Sequence, residues 1–339
     1  MSDNSDFNAW VSGLPKAELH LHIDGSLQAH RLLALAEKNN VKLDYKTTEE
    51  VEAAYNFVDL QSFLDLYYLG ASVLKDEEDF YHLMMDYLLK CREQNIVHCE
   101  IMVEPQTYFP NGVSFATVMA GFKKAIKEAE QGWGQSVLLI LSLLRHLSEQ
   151  EAIETLTQAE PFRDDFVAIG LASSENGNPP EKFEKLYRVA REQGYLAIAH
   201  AGEEGPADYI WSALKKLKVQ RIDHGVRCVE DATLLQYLKK ENIPLTVCPL
   251  SNVCLCVFDS MTEHNILELL EEGVKVTVNS DDPSYFRGFL NENYMALHEA
   301  LNLTKPQALV LAKNSFEASF LTADQKAQYL QKLDVYSRG

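Results

Sequence analysis

The stretch Ala17-Glu18-Leu19-His20-Leu21-His22-Ile23-Asp24-Gly25 alternates apolar and polar residues, which predicts a β-strand that ends at Asp24-Gly25. Residues i and i+2 of a strand point to the same face, so the imidazoles of His20 and His22 would project together near its carboxyl end. Two converging imidazoles can begin a divalent metal site, although such a pair more often has an ordinary packing role. The interpretation therefore depends on whether other parts of the chain supply further ligands.

The same kind of strand recurs along the 339-residue chain, followed each time by a polar or glycine break and a helical pattern. The predicted strands are 18–23, 97–103, 137–143, 166–171, 196–200, 221–224, 244–248 and 275–279. Most are continuously apolar, which is typical of parallel strands covered on both faces. We therefore predict an α/β fold, a (β/α)₈ TIM barrel, with 1–339 as a single domain. An open doubly wound sheet is the alternative, but the early glycine-rich phosphate loop that usually accompanies it is missing from the sequence.

The first two predicted strands are separated by roughly 70 residues, an unusually long connection. Helical patterns occupy 31–38, 60–69 and 79–94 of this segment. A helical insertion after the first strand of a barrel would lie over the C-terminal mouth, where active sites of this fold are found. We expect it to act as a lid.

The composition favours a small substrate. The formal net charge of −19 disfavours nucleic acid, because binding to the phosphate backbone requires clustered Lys and Arg. We expect no membrane association and a cytoplasmic location, because the longest apolar run is too short to span a bilayer and no signal peptide is evident. The six cysteines suggest no disulfide framework, and the pair Cys254 and Cys256 is a weak candidate for a zinc site.

Polar residues gather at the ends of three further predicted strands. The fifth strand ends in His200-Ala201-Gly202-Glu203, the sixth in Asp223-His224-Gly225 and the eighth in Ser280-Asp281-Asp282-Pro283. The carboxyl ends of barrel strands form one ring, so these residues can meet the histidines of the first strand. The metal interpretation of the first strand thereby gains the ligands that it required.

The residue types assign roles within this ring. His20, His22, His200 and Asp281 would hold one divalent ion with an open position for water, as catalytic sites do. His224 could bind the ion or take a proton from the water, Glu203 could be a general acid, and Asp282 could orient a substrate. Taken singly, Glu203 could instead be a first-turn helix acid and Asp281-Asp282-Pro283 a helix cap.

Four of these motifs together resemble the adenosine/adenine deaminase family of metal-dependent hydrolases over nearly the whole chain. They are Pro15-Lys16-Ala17-Glu18-Leu19-His20-Leu21-His22, His200-Ala201-Gly202-Glu203, Arg221-Ile222-Asp223-His224-Gly225 and Ser280-Asp281-Asp282-Pro283. Other stretches are similar to the bacterial and fungal branch that acts on free adenine, namely Leu144-Arg145-His146-Leu147-Ser148, Cys248-Pro249-Leu250-Ser251-Asn252 and Cys256-Val257-Phe258.

The resemblance implies a (β/α)₈ barrel with one Zn²⁺ per subunit, held by His20, His22, His200 and Asp281. It implies that Glu203 donates a proton, that His224 orients or deprotonates the water and that Asp282 bonds the purine. The implied reaction is the hydrolytic deamination of adenine to hypoxanthine and ammonia in purine salvage. The substrate would be a small purine. The resemblance leaves open whether the chain forms a homo-oligomer.

Several positions depart from the adenine branch, among them the following three. Asp24 stands where that branch usually has Glu, Glu104 where Asp is usual, and Ala172 where Asp is expected. Asp at position 24 is typical of family members that accept a ribosyl group, so adenosine or an N6-substituted adenine is an alternative substrate. We expect Asp24 and Ser174 to contact the substrate. A catalytically silent purine-binding protein is the alternative from another class, and the intact Glu203 and His224 argue against it.

Overall fold

Eight parallel strands in sequence order form the centre of the molecule, in a computed structural model that describes residues 2–58 and 60–338. Each strand pairs in parallel with the next one along the chain. The strands are β1 (Lys16–His22), β2 (Ile96–Val103), β3 (Ser136–Leu144), β4 (Phe166–Ala172), β5 (Leu196–Ala201), β6 (Arg221–His224), β7 (Leu245–Val247) and β8 (Val276–Val278). All eight predicted strands are present, with ends that differ from the prediction by at most two residues.

The sheet closes where the end of β8 meets β1. Asp281, just beyond β8, forms a parallel bridge with Leu21. Its backbone N–H donates to the carbonyl of His20 at 3.1 Å, and its carbonyl accepts from the N–H of His22 at 3.0 Å. These bonds confirm the predicted (β/α)₈ barrel and place Asp281 between the two histidines of the opening strand.

Helices alternate with the strands and surround them. They are α1 (Ser2–Gly13), α2 (Ala29–Lys38), α3 (Thr48–Ala53), α4 (Leu60–Ala71), α5 (Glu77–Glu93), α6 (Phe115–Trp133), α7 (Glu149–Gln158), α8 (Glu184–Glu192), α9 (Ala207–Ser212), α10 (Ala232–Glu241), α11 (Pro249–Cys254), α12 (Ile266–Glu271), α13 (Leu290–Leu301), α14 (Lys305–Ala318) and α15 (Ala323–Ser337). The connection from β1 to β2 contains α2, α3, α4 and α5. The capping box of Asp76 and Asp79 fixes the start of α5.

The strands are buried on both faces, as their apolar sequences require. Met102, Ile140, Ala168 and Ile198, from four adjacent strands, form one apolar cluster, and the larger core lies between the strands and the helices. A buried ion pair joins Arg221 of β6 to Glu100 of β2, with Nη1 2.7 Å from Oε2. Packing across the barrel thus fixes the strand ends that carry the polar residues.

Two expectations from composition concern features outside the barrel. Within 2–58 and 60–338, no helix combines the length and the apolar character that crossing a membrane requires. All six cysteines are free thiols, and four of them are buried.

Candidate active site

Three imidazoles and one carboxylate converge at the carboxyl ends of β1, β5 and β8. Nε2 of His200 lies 3.2 Å from Nε2 of His20 and 3.1 Å from Nε2 of His22. Oδ1 of Asp281 lies 3.3 Å from Nε2 of His20 and 3.3 Å from Nε2 of His22. All four residues are buried. The structure therefore brings together the four predicted metal ligands, from positions up to 261 residues apart in the sequence.

The other ring nitrogen of each imidazole faces an oxygen acceptor. Nδ1 of His22 lies 2.7 Å from Oε1 of Glu104, and Nδ1 of His200 lies 3.4 Å from Oδ2 of Asp223. Nδ1 of His20 lies 3.2 Å from the carbonyl oxygen of Thr246. An Nδ1 that donates its hydrogen leaves the Nε2 lone pair free, which is the arrangement that surrounds metal-binding histidines.

This donor set fits a divalent cation. Three nitrogen lone pairs that face one another at these distances would repel without a positive charge among them, and the Asp281 carboxylate adds a negative ligand. The Asp281 carboxylate is fixed from the other side, because the hydroxyl of Ser251 donates to its Oδ2 at 2.7 Å. Burial lowers the pKa of His200 to about 4, so its ring is neutral, as a ligand must be.

His224 and Glu203 lie together beside this cluster. Nε2 of His224 is 3.4 Å from Oε2 of Glu203 and 3.8 Å from Oδ2 of Asp281. His224, His20, His200 and Asp281 also form a group whose ligand atoms all lie within 4.8 Å of one another, so both roles considered for His224 are within its reach. His224 and Asp281 have φ angles of +62° and +64°, a left-handed conformation that non-glycine residues adopt at a cost of order 1 kcal/mol and that clusters at functional sites.

Two carboxyl groups of the site hold their protons more tightly than usual. Burial raises the pKa of Glu203 well above its ordinary value, and the nearby charges of Asp281 and Glu175 raise it further. Burial and the adjacent Asp281 likewise raise the pKa of Asp282. Both groups can therefore carry a proton at neutral pH and donate it in a hydrogen bond.

Glu175, which follows β4, holds the loop that carries Glu203 through hydrogen bonds. The Glu175 carboxylate accepts backbone N–H groups from Gly202 at 3.2 Å, Glu203 at 3.3 Å and Gly205 at 2.6 Å. Three hydrogen bonds to one buried carboxylate define the turn after β5 and hence the direction of the Glu203 side chain.

A cavity opens over the cluster between the strand ends and α4. Its lining comprises His22, Leu60, Phe63, Leu64, Tyr67, Tyr68, Glu104, Leu144, Ala172, Ser173, His200, Glu203, His224, Leu255, Asp281 and Asp282. Five of these residues belong to α4, the third helix of the β1–β2 connection. The cavity is thus polar at its base, where the cluster lies, and apolar or aromatic where α4 covers it.

The two remaining predicted substrate contacts lie less directly at this cavity. Asp24 is buried in the 3₁₀ turn after β1, where Oδ1 accepts the hydroxyl of Tyr108 and Oδ2 accepts the hydroxyl of Tyr67 at 3.3 Å. Burial raises the pKa of Asp24 to about 7. At the end of β4, Ser173 lines the cavity, whereas the carbonyl of Ser174 accepts a hydrogen bond from Asn178.

Sequence reasoning assigned no role to Glu104, Glu175 or Asp223, although each sits at or just after a barrel strand. That position was the available signal, since strand ends form the ring of functional residues. Burial opposes the charge of Glu104, but the adjacent His22 ring holds its pKa below the ordinary value. The hydroxyl of Ser142 also lies close enough to the Glu104 carboxylate to lower its pKa.

The sequence is similar to a known protein family and to named relatives within it. A family model described as adenosine deaminase matches residues 15–336. The chain is 58% identical over 327 residues to an adenine deaminase from Hahella chejuensis, covering 96% of this chain and 98% of that protein. It is 57% identical over 309 residues to an adenine deaminase from Pseudomonas fluorescens, covering 91% and 98%.

Solved structures agree with this similarity. An adenine deaminase from Arthrobacter aurescens superimposes with a TM-score of 0.95 at 45% identity, covering 96% of this chain and 100% of that one. An amidohydrolase from Burkholderia ambifaria with bound zinc superimposes with a TM-score of 0.89 at 25% identity, covering 98% and 93%.

Proposed function

Because the chain belongs to the adenosine deaminase family, we propose that it hydrolyses adenine to hypoxanthine and ammonia. The observation that carries the proposal is the convergence of His20, His22, His200 and Asp281 beneath a cavity that Glu203 and Asp282 also line. Relatives named adenine deaminase at 57–58% identity over more than nine-tenths of the chain support this choice of substrate.

The cofactor in this proposal is one Zn²⁺ per chain, held by Nε2 of the three histidines and by Asp281. The three imidazole nitrogens and the single carboxylate match the nitrogen and oxygen ligands that zinc accepts, and a structural relative contains bound zinc. When bound, the ion supplies Lewis acidity and lowers the pKa of a water molecule toward about 7.

The side chains around the cavity divide the proton transfers between them. Glu203 donates a proton to ring N1 of adenine, which makes C6 more electrophilic. His224, 3.4 Å from Glu203, takes a proton from the water oxygen as that oxygen bonds to C6. His224 then passes its proton to the amino group, and the C6–N6 bond breaks as ammonia leaves. The remaining proton on the oxygen at C6 returns to Glu203, which restores the acid and forms the carbonyl of hypoxanthine. Water is consumed, and hypoxanthine and ammonia are the products.

Asp282 fixes the orientation of the adenine ring in the cavity. In the proposal its protonated carboxyl donates to N7 while Glu203 faces N1, so that C6 between them lies over the metal ligands. Two contacts on opposite sides of one reacting carbon orient a planar ring and reduce the entropic cost of reaching the transition state.

Adenosine was considered as an alternative substrate because position 24 is Asp. Tyr67 and Tyr108 contact both oxygens of that carboxylate, and the cavity lining does not include it within the part of the chain that the structure describes. A ribose hydroxyl would have to displace a buried tyrosine contact to reach Asp24. Free adenine is therefore the substrate proposed.

The test is a panel of adenine, adenosine and N6-methyladenine, supplied to purified protein whose zinc content has been measured. We expect adenine to be converted to hypoxanthine with one ammonia released per molecule, and with the highest kcat/KM of the three. Zinc-loaded protein that releases no ammonia from adenine would refute the proposal, and a higher kcat/KM for adenosine would reassign the substrate.

A further inference from the structure

The chain that enters α4 is bound to a residue from the far end of the barrel sequence. Arg287 lies in the loop between β8 and α13. Its Nη2 donates to the carbonyl of Tyr55 at 3.0 Å and to Oδ1 of Asn56 at 2.8 Å. Hydrogen bonds from a charged donor are stronger than those between neutral groups. Arg287 therefore connects the loop after β8 to the segment that precedes the helix covering the cavity.

The backbone of Arg287 adopts a conformation that favours glycine. Its φ angle is +64°, in the left-handed region, where a Cβ atom costs free energy. The residue is exposed, so burial of its side chain does not offset this cost. What the arginine adds at this position is the pair of hydrogen bonds to Tyr55 and Asn56.

The same loop packs along α4. The ring of Tyr285 lies 5.0 Å from that of Tyr55, and the ring of Phe286 lies 4.8 Å from that of Phe63 in the first turn of α4. A Cβ atom on Gly70, in the last turn, would lie 2.3 Å from the hydroxyl oxygen of Tyr285. The loop thus contacts the entry segment of α4 and both ends of the helix.

This loop also carries the residue proposed to orient adenine. The backbone N–H groups of Tyr285 and Phe286 both donate to the carbonyl of Asp282 at 3.0 Å. A tight turn therefore joins Asp282 to the two aromatic rings that meet α4. The position of the covering helix and the position of Asp282 are linked through a few residues, with Arg287 at the end of the link.

We propose that Arg287 is a positioning residue, which holds the start of α4 against the loop of Asp282 and so keeps the cavity in the form that binds adenine. This inference rests on the proposed function and extends it to how the site is kept closed. Without the guanidinium group, α4 would leave its position more often. The apparent affinity for adenine falls in proportion to the fraction of molecules in the binding form.

The test begins with Arg287→Gly, which removes both hydrogen bonds and also relieves the left-handed backbone, so the variant should fold as the wild type does. We expect KM for adenine to rise about fivefold to tenfold while kcat stays nearly unchanged, because saturating adenine restores the binding form. Arg287→Lys keeps the charge but not the planar donor group, and its KM should lie between the two.

Lys218→Gly is the matched control. Lys218 is also exposed and also left-handed, with a φ angle of +60°, but it lies in the connection between β5 and β6. The control therefore makes the same kind of change, from a left-handed cationic residue to glycine, away from α4. We expect wild-type KM and kcat.

Hydrogen–deuterium exchange without adenine provides a second readout that does not depend on activity. Amide hydrogens of α4 should exchange faster in Arg287→Gly than in the wild type, because the helix opens more often. Exchange in the barrel strands should be the same in both proteins. Lys218→Gly should leave the exchange of α4 unchanged.

The outcomes separate the two proposals. Wild-type KM or wild-type exchange of α4 in Arg287→Gly would show that Arg287 does not hold the helix for binding, and the inference would be wrong. A wild-type protein that carries zinc and does not deaminate adenine would refute the proposed function instead. Slower binding and faster exchange in Arg287→Gly alone support the inference.

Discussion

A Cβ atom on Gly25 would lie 2.1 Å from Oδ1 of Asp282 and 2.5 Å from its Cα. The turn that ends the His20–His22 strand therefore packs directly against the segment after β8. Only a residue without a side chain allows this approach, which sets the position of Asp282 over the metal ligands.

Gly25→Ala should displace Asp282, because the clash includes its backbone. A displacement of about 1 Å at a positioning residue can cost roughly 10²-fold in rate, so we expect kcat/KM for adenine to fall by about that factor at full zinc occupancy. Gly132→Ala is the control, because a Cβ at that helical position meets nothing within 4 Å. Wild-type kcat/KM in Gly25→Ala would contradict the account.

Glu203→Gln should remove the proton donor and leave the metal ligands in place. General acid catalysis contributes typically 10²–10⁴-fold, and we expect kcat to fall within that range while zinc per chain is unchanged. Kinetics and metal analysis on one preparation provide the measurement. A variant that retains wild-type kcat would show that another group delivers the proton.

The pH profile should reflect the same carboxyl. Burial and neighbouring carboxylates raise the pKa of Glu203, and the reaction requires its protonated form. Activity should therefore persist at neutral pH, where an ordinary glutamate has lost its proton, and fall as the pH rises through the raised pKa. The comparison is log kcat/KM against pH for the wild type and Glu203→Gln. The prediction is wrong if the variant retains an alkaline limb with the same midpoint.

Asp223→Asn should weaken zinc binding, because Asp223 faces Nδ1 of His200. Removal of such a hydrogen-bond partner typically costs 10–100-fold in metal affinity, and we expect a loss of that size by competition with a chelator. Asp231→Asn is the control, since Asp231 caps α10 at the surface and Asn caps helices equally well. Equal zinc affinity in both variants would show that Asp223 does not support zinc binding through His200.

The fold was predictable because most strands are short, continuously apolar runs and each is followed by a polar or glycine break. The eight strands recovered this way include β7 and β8, which are only three residues long. The pattern could not show that the last strand returns to the first and closes the barrel. The bridge between Leu21 and Asp281 joins residues at opposite ends of the barrel sequence, and no local signal specifies it.

Within the site, sequence reasoning found side chains that belong to recognisable motifs and overlooked the residues that support them. Glu104 contacts His22 across 82 residues of sequence, which depends on ring orientation and not on spacing. Ser173 has a φ of +77°, and this turn at the end of β4 places Ser173 at the cavity where Ser174 was expected. A left-handed serine is not evident from the sequence, so the exact contact could not be predicted.

The most direct test of the account is a zinc titration of metal-free protein, with adenine deamination as the readout. The account predicts that the chelated protein is inactive, and that activity rises in proportion to added zinc and saturates at one equivalent per chain. Full activity in the metal-free protein, or no activity after one equivalent has bound, would contradict it.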